Sequence, residues 1–109
     1  MKLIFAIVQN EDVGKLMEAL QKEGIMATKF ATSGGFLRSG NTTLLIGVEE
    51  DMVNKVLDII SSKCKIRKQV LSSPMPNTPS TGAYIPYPIE ITIGGATVFV
   101  MDIERFEKL

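Results

Sequence analysis

The chain has no histidine among its 109 residues and a single cysteine, Cys64. Without imidazole, a Ser-His-Asp relay, a histidine general base and histidine-rich metal sites are all excluded. One thiol excludes an intrachain disulfide and a multi-cysteine zinc site. An excess of charge of one sign is also missing, because twelve basic and twelve acidic residues cancel. No global field therefore draws the chain to nucleic acid or to an acidic membrane surface, and neither is expected as a partner. Long apolar runs are lacking too. The N-terminal one, Leu-Ile-Phe-Ala-Ile-Val at 3–8, is six residues long, too short for a signal-peptide core or a membrane span. It suits a buried strand, and a cytoplasmic location is expected.

What is present describes one globular domain over 1–109. Apolar residues make up 45% and charged residues 22%, and a chain of this size buries roughly 65% of its unfolded surface. After the strand at 3–8, Asn10 is expected to cap a helix over 11–23, with Glu11 and Asp12 near its positive end. Val13, Leu16, Met17 and Leu20 recur at helical spacing, and Gly24 stops the helix. A strand over 26–32 places Met26, Thr28 and Phe30 on one face, and another strand follows at 42–48. A second helix fits 50–62, with Val53, Val56, Leu57 and Ile60 as its buried stripe. A short strand is expected at 66–71, and 89–101 reads as a hairpin turning at Gly94-Gly95. Residues 103–109 form a tail.

The doubled order strand–helix–strand predicts an α+β ferredoxin-like βαββαβ sandwich with an extra hairpin and a long loop. In that fold both helices cover the same sheet face. Yet 3–8 and 96–101 are apolar at odd and even positions alike, so the other face also needs a cover. One chain of this size lacks a further layer, which points to neighbouring subunits in a closed oligomer.

Two segments stand apart from this scheme. Residues 32–43, Thr-Ser-Gly-Gly-Phe-Leu-Arg-Ser-Gly-Asn-Thr-Thr, surround one aromatic, one leucine and one arginine with glycines and hydroxyls. A tight strand connection needs fewer glycines and no exposed Phe-Leu pair. Phe36 can stack on a base, backbone N–H groups near Gly34 and Gly35 can form an anion-accepting concavity, and Asn41 offers a directed hydrogen bond. The turn lacks the Gly-Lys-Ser/Thr ending of a phosphate loop, and no helix follows it as in a dinucleotide fingerprint. Residues 72–88 carry all five prolines and no charge. A loop of that length is usually functional or disordered, and Tyr84, Ile85 and Tyr87 argue that its C-terminal end docks.

The remaining chemistry-bearing residues read as structural. Lys63, Lys65, Arg67 and Lys68 suit a solvated helix end. Asp51, Asp58, Asp102 and Glu104 show no metal or acid–base spacing. Cys64 lies between two lysines, which lower a thiol pKa, but a lone cysteine on a surface helix is read as incidental. The methionines read as core filler. With no catalytic constellation and no metal site, a binding protein is expected rather than an enzyme.

The run Ala27-Thr28-Lys29, then 32–43, Gly47-Val48, Tyr84-Ile85-Pro86-Tyr87-Pro88 and Gly94-Gly95-Ala96-Thr97-Val98-Phe99-Val100 closely resembles the PII-like cyclic di-AMP receptor family of bacteria. The resemblance runs nearly end to end. It implies a ferredoxin-like protomer, a homotrimer and a nucleotide site in each cleft between subunits. It further implies that Thr28 and the backbone around Ala27 and Gly47 read an adenine edge. Gly35, Phe36 and Leu37 would lie against the ligand, Asn41 would supply a polar contact, and Phe99 would line the cleft from the last strand. Two positions depart from the family pattern: Met26 stands where arginine is often found, and Lys108 where glutamine is. Met26 supplies apolar contact with a base but no charge, leaving Lys29, Arg38 or Lys108 to compensate. The expected function is a cytoplasmic signal-transduction protein that binds cyclic di-AMP, with no other cofactor, and regulates an unidentified protein target through loop ordering. The alternatives are a PII-like regulator of ATP or ADP and, from another class, a nucleotide phosphodiesterase.

Overall fold

The computed structural model describes residues 1–30, 40–73 and 87–109. Strand β1 (Lys2–Gln9) is one of the two inner strands of a four-stranded antiparallel sheet. It pairs with β3 (Asn41–Val48) on one side and with β6 (Ala96–Asp102) on the other, while β2 (Ala27–Phe30) pairs outside β3. The order β2-β3-β1-β6 is that of a ferredoxin-like fold.

Alternation along the strands sorts their side chains to two faces. Ile4, Ala6 and Val8 of β1, with Leu44, Ile46 and Val48 of β3, pack against α1 (Asn10–Lys22) and α2 (Val53–Lys63). Val13, Leu16 and Leu20 supply the α1 stripe, and Val56 and Ile60 that of α2. Burying one such side chain contributes about 1.5–3 kcal/mol, so this seam holds the protomer together.

Helix α1 ends in a double bond pattern. The Gly24 amide donates to Gln21 O at 3.0 Å and the Ile25 amide to Leu20 O at 2.9 Å. Gly24 has φ 72°, the left-handed conformation this ending requires. The start differs from expectation. Asn10 is the first helical residue, not its cap, and Gln9 precedes it without a side-chain cap bond. The Asn10 amide instead donates to Gly40 O at 2.9 Å, which satisfies an end of the helix from outside it. The second helix begins as a 3-10 turn at Glu50–Met52 before α2.

Two sequence expectations are overturned. The second βαβ unit is not completed by the strand after α2. Among the described residues that strand, β4 (Arg67–Ser73), pairs only with β5 (Tyr87–Ile93) in a separate two-stranded ribbon, and β6 takes the place beside β1. The reason lies in composition: β4 opens Arg-Lys-Gln, whereas β6 offers apolar residues of both parities to an inner strand that is apolar on both faces. Nor do 89–101 form a hairpin. Gly94 and Gly95, at φ 85° and 89°, carry the chain from the ribbon to the sheet. Consecutive positive φ values are also what a tight hairpin turn demands, so the two cases read alike in sequence.

Candidate functional site

The sheet face away from the helices is open in the protomer. Cross-strand register places Thr28, Leu45, Phe5 and Phe99 in one row across it. Thr28 and Phe99 therefore stand at opposite edges, three strand spacings or about 14 Å apart. Phe99 is 48% exposed and lines a hollow of about 600 Å³ with Phe5, Ile7, Thr43 and Met101. Gly47 lies on this same face and is exposed.

The other expected residues fall elsewhere. Met26, 87% exposed, and Ala27 line a smaller hollow with Met17, Gln21 and Ile25 between α1 and β2. Asn41 lines a third, with Gln9, Ile66, Gly94 and Thr97, at the end of the sheet where β3 begins. One protomer thus distributes the expected site over two edges and one end of its sheet. Gly35, Phe36 and Leu37, like most of the glycine-rich turn and the 74–86 part of the proline-rich loop, lie outside the described residues.

The described end of the glycine-rich turn is anchored. Beyond the Gly40 carbonyl, the Thr42 hydroxyl donates to Asn10 Oδ1 at 2.5 Å, so residues 40–42 are tied to the first turn of α1. That same turn carries a feature that sequence reasoning missed. Asp12 is fully buried and receives Arg67 of β4 through both guanidinium nitrogens, at 2.7 and 3.3 Å, and Lys15 Nζ at 3.2 Å. Burial alone raises a carboxyl pKa, but the hydrogen bonds and charges of Arg67 and Lys15 outweigh it and hold Asp12 below its ordinary value. The signal in the sequence was slight: an acidic residue one position before the apolar stripe of α1, at a place where helix-dipole complementarity already explains it.

Arg67 is therefore not part of a solvated basic helix end, and Lys68 pairs with Glu90 at 3.1 Å within the ribbon. Cys64 is also not a surface residue. It is buried, and desolvation pushes its thiol up to about 11, the reverse of what neighbouring lysines suggested. Asp102 receives Lys2 in a sheet-edge ion pair. Among the described residues no group of three or more His, Cys, Asp or Glu is placed to hold a metal ion, and no helix is long and apolar enough to cross a membrane.

Over residues 1–109, its whole length, the chain matches the sequence model of the cyclic-di-AMP receptor family. The chain belongs to that family, which is PII-like. The resemblance read from the glycine-rich turn and the Gly94–Val100 segment is thereby borne out. A similar solved structure is that of a functionally unknown protein from Pediococcus pentosaceus, 40% identical to this chain. The match covers 99% of this chain and 96% of that one, with a TM-score of 0.77. Membership supports cyclic di-AMP binding, in a family of binding and signalling proteins.

Proposed function

We propose that this receptor binds cyclic di-AMP in clefts between the subunits of a homotrimer in the cytoplasm. It acts without catalysing a reaction, and it signals to a protein target by ordering the segments 32–43 and 72–88. The observation that carries this reading is the separation of Thr28 from Phe99 across the open sheet face. Residues expected on one ligand stand at opposite edges of a protomer, and a second copy brings one edge to the other. The apolar row between them, Leu45 and Phe5, needs the same neighbour as a cover.

In this arrangement Thr28, with the backbone at Ala27 and Gly47, reads an adenine edge. Phe36 stacks on a base while the amides beside Gly35 and Leu37 face a phosphate. Asn41 supplies a polar contact, and Phe99 closes the cleft from β6. Met26 offers apolar surface to a base but no charge.

Titration calorimetry on the purified chain, with mass measured by light scattering, tests the proposal. A trimer that binds cyclic di-AMP and is not displaced by ATP is expected. A monomer, or preferential binding of ATP, overturns it. Phe36→Ala is expected to weaken binding about 5- to 150-fold, the loss of one base–aromatic stack; unchanged affinity removes Phe36 from the site.

A further inference from the structure

We propose that residues 9–12, the junction of β1 with the first turn of α1, are a mechanical joint coupling the glycine-rich turn to the β4–β5 ribbon. Three residues within this stretch, Gln9, Asn10 and Asp12, hold both parts. On one side the Asn10 amide takes Gly40 O at 2.9 Å, and Asn10 Oδ1 accepts from Thr42 at 2.5 Å. On the other, Gln9 Oε1 accepts the Gly94 amide at 2.6 Å, and Asp12 takes both Arg67 nitrogens. Arg67 and Gly94 flank the base of the ribbon, where β4 begins and β5 ends.

The ribbon has few other attachments. Among the described residues its strands pair only with each other, and Ile66, Val70 and Ile89 around it are 73%, 65% and 49% exposed. Its direction is therefore set at its base. The fit there is tight: a Cβ on Gly94 would overlap the Lys65 carbonyl oxygen, and Arg67 Nη1 donates to that same carbonyl at 3.0 Å. A displacement of Gly40–Thr42 moves Asn10, and Asn10 shares a helical turn with Asp12. The bidentate Arg67 pair converts that movement into a tilt of the ribbon, since planar two-point contacts transmit orientation as well as distance. Coupling of this kind runs through contiguous bonded groups and acts equally in both directions.

The regulatory use of the joint rests on the reading that ligand engages the glycine-rich turn, so the test has two arms. The first uses ligand-free protein and amide exchange read by mass spectrometry. Thr42→Val, in β3 and outside the ribbon, is expected to speed exchange about fivefold in peptides covering 65–70 and 89–95. In an Arg67→Met background, where the ribbon base is already loosened, Thr42→Val adds nothing further. If Arg67→Met does not fold, Arg67→Lys, which keeps the charge and loses the fork, takes its place with a smaller increase. Unaltered ribbon exchange in Thr42→Val overturns the joint. The second arm adds cyclic di-AMP. Protection of the ribbon base is expected in the native chain and is lost in Arg67→Met while the heat of binding persists. Binding without protection in the native chain overturns the joint and leaves the ligand site standing. Absence of binding strikes the ligand site, and the first arm still decides the joint.

Discussion

Strand β1 of the four-stranded sheet and the strands of the two-stranded ribbon are of similar length but are held in different ways. Strand β1 is paired along both edges and covered on one face by α1 and α2, so Ile4, Ala6 and Val8 are fixed by hydrogen bonds and by burial together. The ribbon has its ladder, a diagonal Lys68–Glu90 pair, and a base clamped by Arg67, Gln9 and Gly94. A two-stranded ladder in water is marginal by itself. The sheet is thus stabilised over an area, whereas the ribbon depends on a few atoms at one end. Local openings should concentrate in the second region and global unfolding should report the first.

The largest effect expected from this contrast is in the seam under the sheet. Leu16→Ala, at a fully buried position, should lower the unfolding free energy by about 3–4 kcal/mol. Urea denaturation checks it, and a loss below 1 kcal/mol would mean that the helices do not hold the sheet as described. Gly94→Ala comes next, at about 1–3 kcal/mol for a side chain forced against backbone at positive φ. Here the ribbon peptides should exchange faster than those of β1; equal acceleration in both would erase the distinction between the regions.

The Asp12–Arg67 clamp makes a pH-dependent contribution. The folded-state pKa of Asp12 is lowered, so the folded chain binds its proton less readily than the unfolded chain, whose aspartate titrates near about 3.9. The stability it supplies is full above the unfolded value and is lost as pH falls through the folded one. The difference in unfolding free energy between the native chain and Asp12→Asn should be constant from neutral pH to about pH 5 and shrink below about pH 4. A difference independent of pH would show that the carboxylate charge does not hold the ribbon. The smallest effect is on the ribbon surface: Val70→Thr, at an exposed position, should stay within about 0.5 kcal/mol. A larger loss would reveal that another surface covers the ribbon.

How legible each part was follows from the same contrast. Strand 3–8 and the helical stripe Val13, Leu16, Leu20 were readable because burial on a regular element imposes a period on the residue types. The glycine-rich turn was distinctive because its composition exceeds what a connection needs, and it carried the family resemblance that the match over the whole chain bears out; its part in binding stands as a proposal. The destination of β4 was not readable. A seven-residue strand after a helix looks the same whether it joins the parent sheet or a ribbon, and Gly94-Gly95 serve a sheet-to-sheet passage with the φ values of a hairpin. Asp12 was read only through the helix dipole, because its partner Arg67 lies 55 positions away.

By itself the sequence determined the α+β class and the family, since periodicity and composition are local properties of the chain. Only the tertiary structure decided which strand lies beside β1, that Cys64 is buried with a raised thiol pKa, and that Gly40, Gly94 and Arg67 converge on residues 9–12. Those outcomes depend on competition among distant segments for the same partner, and the energy of such a contact is written in no single stretch of residues.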